Sequence, residues 1–353
     1  MRVGFDVAPL SMNRAGEWRY ATALLQALRE LGDLELSELT PARHEPGGAV
    51  HRLAYQALAE GVYYPFLLAR QARRARVDLV HHPRHLVPPE LGLPGPSVVT
   101  VHDVLPLSRP EYFSRLILRR YQLLARGAVK RARLVLTGSR HSAAEISERL
   151  GVAPEKIRVT PYGVGERFRP VEVGAGEPYV LCVGTLEPRK NLIGAVRAFE
   201  AVSRDFPDHR LVVVGGRGWK DDRLEGVLRS SPARIDRRGR VSEEDLVRLY
   251  SGADCFLFPT LGEGFGFPLL EAMACGAPVV ASDRDSLPEL AGAAAVLTDP
   301  QDADALASAL WTVLSSADRR AELRELGLER SARFSWPECA RQTVDAYHEA
   351  LEG

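Results

Sequence analysis

Glu263 and Glu271 stand eight positions apart in EGFGFPLLEA, Glu263 to Ala272, with glycines, aromatics and a proline between them. A carboxylate accepts O–H bonds at both oxygens, so acids flanking a ligand suit polyhydroxylated groups such as a sugar and a ribose. Further upstream, VGTLEPRKN, Val183 to Asn191, sets Arg189 beside Lys190. A planar guanidinium that bonds in pairs, next to a compact ammonium, suits a diphosphate. Each feature has a plainer explanation. Adjacent basic residues are common on surfaces, and a first-turn acid is favoured by the helix dipole whatever it binds. The choice depends on where the surrounding elements place these four side chains.

Both stretches follow a strand and precede a helix. Asp254 to Phe258, DCFLF, is an apolar strand-like run ended by Pro259 and Thr260. Gly262, Gly264 and Gly266 then permit positive φ and close approach of backbone to a ligand. Pro268 suits the first helical position, and a helix from Pro268 to Cys275 stops at Gly276. Glu263 is thereby expected in the loop at the strand's carboxyl end and Glu271 in the first helical turn. The strand Tyr179 to Val183 likewise leads through Arg189 and Lys190 into a helix over Asn191 to Ser203. Open α/β sheets bind ligands at these strand ends, and helix N-termini attract phosphate. VVVGGRG, Val212 to Gly218, lacks the G-x-G-x-x-G order and follows the second strand of its domain, which argues against a hydride carrier.

Short β-branched runs alternate with amphipathic ones along the whole chain, the pattern of parallel sheets. The first half offers strands at Arg2 to Val7, Val77 to His82, Ser97 to His102, Leu134 to Thr137 and Ile157 to Thr160, with helices at Trp18 to Leu31, Arg52 to Arg76 and Glu111 to Arg131. The second offers strands at Tyr179, Arg210, Asp254, Pro278 and, more weakly, Ala294, and a helix over Ser242 to Ser251. The expected organisation is a first doubly wound domain over residues 1–162, a Gly- and Pro-rich linker over 163–178, a second over 179–334, and a last helix over 335–353 capped by Ser335 and packing back on the first domain. A cleft between two such domains is the default ligand site.

The C-terminal stretches VGTLEPRKN and GRVSEEDLVRLYSGADCFLFPTLGEGFGFPLLEAMACGAPVVASD resemble the retaining glycosyltransferase family 4, enzymes of the α/β GT-B architecture with two Rossmann-like domains facing across a cleft. SVVTVHDVLPL and VLTGSRHSAAEI extend the resemblance into the first half. It implies transfer of a hexose from a nucleoside-diphosphate sugar to a carbohydrate or lipid-linked acceptor, with no metal cofactor. In that scheme Glu271 holds the ribose, Arg189 and Lys190 bind the diphosphate, and Glu263 with the amides of Gly264, Phe265 and Gly266 orients the sugar. Arg240 and Val241 border the base, and His102 hydrogen-bonds the donor sugar. Gly16 offers its N–H to the distal phosphate, although RAGEWRY carries one glycine where the family usually has two. The string DRD, Asp283 to Asp285, suggests a turn or cap before a metal site. TVHDVLPL leans toward mannosyl or related transfer into surface polysaccharide. An epimerase or hydrolase of the same fold and a non-catalytic binding protein are the competing classes.

At 45% hydrophobic and 26% charged, the 353 residues have the makeup of an ordinary two-domain globular protein. No signal-peptide pattern, membrane span, paired cysteine spacing or nucleic-acid signature is visible, so a cytoplasmic protein is expected. The net charge is zero, yet residues 1–165 hold 23 Lys+Arg against 15 Asp+Glu, and the remainder holds 23 against 31. The basic excess gathers on candidate helices at Arg70 to Arg76 and Arg115 to Arg133. It is either a solvated helix face or a contact for an anionic acceptor or membrane.

Overall fold

A computed structural model describes residues 1–11, 16–41, 55–87, 89, 92–174, 176–216, 218 and 222–352. The chain forms two units, Met1–Gly163 with Ser335–Gly353, and Val164–Phe334.

The first unit holds a wholly parallel sheet of β1 (Arg2–Asp6), β2 (Glu35–Leu39), β3 (Leu79–His82), β4 (Ser97–Thr100), β5 (Leu134–Thr137) and β6 (Ile157–Val159), in the order β2-β1-β3-β4-β5-β6. β2 was not evident in the sequence. It lies at the sheet's edge and reads ELSEL with only Leu39 buried, so it lacks the apolar run of the central strands. The helix expected from Arg52 begins outside the described residues, and over Ala59–Leu67 it widens to a π-helix. Pro65 lies inside that stretch and has no N–H to give, and Leu68 N bonds to Tyr63 O, five residues back. The helix expected from Glu111 starts instead at Arg115. Ser114 caps it by accepting from Ile117 N at 3.3 Å.

The closing helix Trp336–Glu352 belongs to this first unit. Ser335 Oγ accepts from Glu338 N at 3.3 Å, and Tyr347 bonds through its hydroxyl to His81 Nδ1 at 2.6 Å. The other His81 nitrogen meets Thr100 Oγ1 at 2.8 Å, and Tyr20 OH reaches the same hydroxyl at 3.0 Å. Terminal helix, first helix and central strands thus share one buried polar chain.

The second unit repeats the plan with β7 (Tyr179–Val183), β8 (Arg210–Val214), β9 (Ile235–Gly239), β10 (Cys255–Phe258), β11 (Val279–Ser282) and β12 (Val296–Thr298), in the order β12-β11-β10-β7-β8-β9. All its pairs are parallel. β9, the other strand not foreseen, is again an edge strand and reads IDRRG. The sheet is built outward from β7 in both directions, so its topological switch point lies between β7 and β10. The segment expected as a linker is laid over this unit from Val164 onward. Val171 N donates to Ser251 Oγ at 3.2 Å, and Phe168 packs edge-on against Tyr250.

Burial pushes the pKa of His81 and of His85 down to about 3 in the first unit. Unfolding returns both to about 6.5, so the unfolded chain takes up protons the folded chain refuses, and stability is lost as pH falls below that value. The unfolding midpoint of the first unit is expected to drop between about pH 7 and pH 5, with a shallower slope in His85→Leu. Thermal scans across that range check this, and a midpoint indifferent to pH contradicts it.

Candidate active site

The loops after β7 and β10 leave the second sheet on either side of its switch point. The chain after β7 turns through Pro188–Lys190, and Asn191 caps the helix Leu192–Val202 by accepting from Gly194 N at 3.3 Å. The loop after β10 is strapped to it at one atom. The carbonyl oxygen of Arg189 accepts from Leu261 N at 2.7 Å and lies 3.0 Å from Thr260 Oγ1. From the other side, Gly215 at the end of β8 lets the backbone close in. A Cβ there would sit 1.8 Å from the Gly184 carbonyl oxygen, and one on Gly218 would sit 2.3 Å from that of Leu186, so these two glycines of VVVGGRG serve packing of the β7 loop. Arg217 of that run lies outside the described residues.

This scaffold brings Arg189, Lys190 and Glu263 together. Lys190 Nζ donates to Glu263 Oε2 at 2.5 Å and lies 4.9 Å from the centre of the Phe258 ring. Arg189 Nη1 donates to the Gly262 carbonyl at 2.5 Å and to Glu263 Oε2 at 3.3 Å, while its Nη2 donates to Glu187 Oε1 at 2.6 Å. Lys190 and Glu187 are buried, and Glu263 is nearly so. Burial pulls the Lys190 pKa below the ordinary lysine value, and Glu263 restores it only in part. For Glu263, burial alone would raise the pKa, but Lys190 and then Arg189 hold it below the usual carboxylate range. Two cations therefore face one shared carboxylate, with Glu187 fixing the fork of Arg189.

The segment after Glu263 is shaped by Asp285, from the string expected to serve a turn or cap, and by Ser286, which the sequence did not single out. Glu263 N donates to Asp285 Oδ2 at 2.9 Å, which gives the second aspartate of DRD a structural role. Ser286 Oγ donates toward the carbonyls of Phe265, at 2.7 Å, and Glu263, at 3.2 Å. In a trans peptide the following N–H points opposite to the carbonyl, so the amides of Gly264 and Gly266 are turned away from Ser286. Of the three glycines expected to allow positive φ, only Gly266 uses it, at 113°, where the chain enters the helix Phe267–Ala274. Phe267 takes the first helical position and Pro268 the second, which moves Glu271 out of the first turn. The dipole explanation for Glu271 thereby falls away. It is a buried acid in the second turn, accepting from Tyr250 OH at 3.3 Å. Arg240 is exposed just past β9, with its side chain against Gly216, and Val241 follows it.

In the first unit, Gly16 is the exposed first residue of the helix Gly16–Leu31, while Arg14 and Ala15 before it lie outside the described residues. His102 follows β4. Its Nε2 lies 2.9 Å from the Pro83 carbonyl, which can only accept, so this nitrogen carries the hydrogen and Nδ1, 2.8 Å from Tyr162 OH, accepts. Burial lowers the His102 pKa and keeps the ring neutral. Nearby, Glu17 Oε2 lies 3.3 Å from Arg84 Nε. Burial would raise the Glu17 pKa, yet the Arg84 guanidinium holds it below the ordinary value. These partners are far apart in sequence, so no local signal marked Glu17 or Arg84.

Two family models match this chain, Glycosyltransferase Family 4 over residues 15–166 and Glycosyl transferases group 1 over residues 165–330. The chain is 30% identical to O-antigen chain mannosyltransferase B of Escherichia coli, across 98% of its own length and 99% of the relative's. It is also 30% identical to the MMP alpha-(1->4)-mannosyltransferase of Mycolicibacterium hassiacum, over 79% of this chain and 72% of that one. Among solved structures, the sucrose-phosphate synthase of Thermosynechococcus elongatus matches with a TM-score of 0.75 at 21% identity, covering 100% and 99% of the two chains. Anabaena HepE, solved with UDP-glucose, matches with a TM-score of 0.73 at 19% identity, covering 99% and 100%. The architecture is the GT-B fold. The chain belongs to the group 1 and family 4 glycosyltransferases.

Glu263→Ala would leave the Lys190 ammonium buried beside Arg189 with its carboxylate gone, a change expected to cost about 3–5 kcal/mol. Denaturant unfolding is expected to show most of that loss recovered in the double variant Glu263→Ala with Lys190→Met. Additive losses in the two single variants would contradict the coupling.

Proposed function

We propose that this glycosyltransferase transfers mannose or a related hexose, with retention, from a nucleoside diphosphate to an acceptor hydroxyl during assembly of a surface polysaccharide. The observation that carries the proposal is the pairing of Lys190 and Arg189 with Glu263 at the switch point of the second sheet. The names of the two mannosyltransferase relatives support the choice of sugar.

In this mechanism the diphosphate replaces the Glu263 carboxylate on the two cations. Glu263, released, turns to hydroxyls of the transferred sugar, and the amides of Gly264, Phe265 and Gly266 help to orient it. Glu271 accepts from the ribose hydroxyls, Arg240 and Val241 border the base, and Gly16 offers its N–H to the distal phosphate. As the bond from the anomeric carbon to phosphate oxygen breaks, its electron pair stays on the diphosphate, where Arg189 and Lys190 stabilise the charge without a metal. The acceptor oxygen attacks from the same face and passes its proton to the departing phosphate. His102 bonds the donor sugar through Nε2–H once that hydrogen leaves the Pro83 carbonyl. The acceptor is a carbohydrate or lipid-linked chain, and the basic first unit meets an anionic membrane from the cytoplasmic side. No described helix is long and apolar enough to cross a membrane.

Arg189→Ala and Lys190→Ala are each expected to lower kcat for mannosyl transfer by about 10²–10³, with the rate of the native enzyme unaffected by a chelator. Unchanged kcat in both variants would remove the leaving-group role. Because the Lys190 pKa is lowered by burial, diphosphate affinity is expected to decline on the alkaline side before ordinary lysines titrate, and Lys190→Arg is expected to abolish the decline. Titration calorimetry across pH checks the sign.

A further inference from the structure

The helix Arg115–Arg131 carries six basic residues and no acidic one. Its inner face, Tyr121, Ala125, Ala128 and Val129, is buried in the core of the first unit. On the opposite side Leu116 and Leu123 lie two turns apart on one line, 77% and 76% exposed. Arg119, Arg126 and Lys130 run along one flank of that line, and Arg120 and Arg131 along the other.

The neighbouring segment adds a second apolar ridge. Leu58, Val62 and Phe66, spaced four apart, are 48%, 42% and 62% exposed and lead on to exposed Arg70. Glu60 pairs with Arg120, so the two segments lie side by side in the same unit. Exposed leucines scattered singly need no explanation, but an apolar line flanked by basic side chains with a second apolar ridge beside it does.

Charge selects the occupant. A second copy of the chain would bring its own six positive charges to the same face and be repelled. An anionic bilayer offers phosphates to the flanks and an apolar boundary to the ridges, which is how amphipathic basic helices lie on membranes. We propose that this face docks on an anionic phospholipid bilayer, with Leu116, Leu123 and Phe66 entering the headgroup boundary and the basic flanks pairing with lipid phosphate. This rests on the membrane contact set out above for the first unit and gives it a surface.

Co-sedimentation tests it, using the full chain with vesicles of phosphatidylcholine alone or mixed with phosphatidylglycerol. Binding is expected only with phosphatidylglycerol, is expected to weaken with added salt, and should fall at least tenfold in the double variant Leu116→Asp with Leu123→Asp. That variant should keep the native melting temperature and native transfer to a short soluble acceptor. Arg119→Glu with Arg126→Glu, which leaves the apolar line intact, is expected to lose binding as well. Equal binding to neutral vesicles, undiminished binding by either variant, or self-association of the native chain that the leucine variant abolishes would overturn the proposal. Vesicle binding by a chain that transfers no sugar would sink the donor mechanism and leave this surface standing.

Discussion

The second unit is organised around one nearly buried carboxylate that answers two cations. Glu263 reaches Lys190 and Arg189 together, and neither Lys190 nor Glu263 could stand there without a partner, because an unpaired buried charge costs several kcal/mol, on the order of 3–5. The same economy makes the cluster suited to its chemistry. A site that must attract a diphosphate has to keep two positive charges out of bulk water before the ligand arrives, and Glu263 serves as the resident counter-ion. Glu187 and the Gly262 carbonyl hold Arg189 in place regardless, so an exchange of anions leaves the guanidinium where it is.

The fold supplies the precision this needs. β7 and β10 are neighbours in space although distant in sequence, and their loops leave the sheet at the one place where its winding reverses. The strap from Thr260 and Leu261 to the Arg189 carbonyl, the close approach at Gly215, and the anchors Asp285 and Ser286 fix both loops at the level of single hydrogen bonds. In the first unit the buried chain from Tyr347 through His81 and Thr100 to Tyr20 does comparable work, tying the last helix to the strands that carry His102.

What the sequence disclosed follows from what each residue's local context reveals. Central strands such as DCFLF and RLVVV are apolar throughout because both faces of the sheet are covered, and their runs show plainly. The edge strands ELSEL and IDRRG meet solvent and read as loop. Arg189, Lys190 and Glu263 were legible because each follows a strand and precedes a helix. Glu187 sits two residues before Arg189, and nothing in its local sequence marks it as buried. Asp285, Glu17 and Arg84 act through partners remote in sequence, which no spacing rule reaches. The helical register of Glu271 differs by one residue from the expectation, enough to carry it from the first turn into the second, since Phe267 and not Pro268 opens the eight-residue helix. The engagement of both His102 nitrogens was equally invisible, because Pro83 and Tyr162 approach it only in the fold.

The anion exchange at Lys190 and Arg189 is tested most directly by titrating the native chain and Glu263→Gln with a nucleoside diphosphate that carries no sugar. With the competing charge removed, the variant should bind about tenfold more tightly, a gain of roughly 1.4 kcal/mol. Equal or weaker binding by Glu263→Gln would show that the carboxylate does not hold the diphosphate's place.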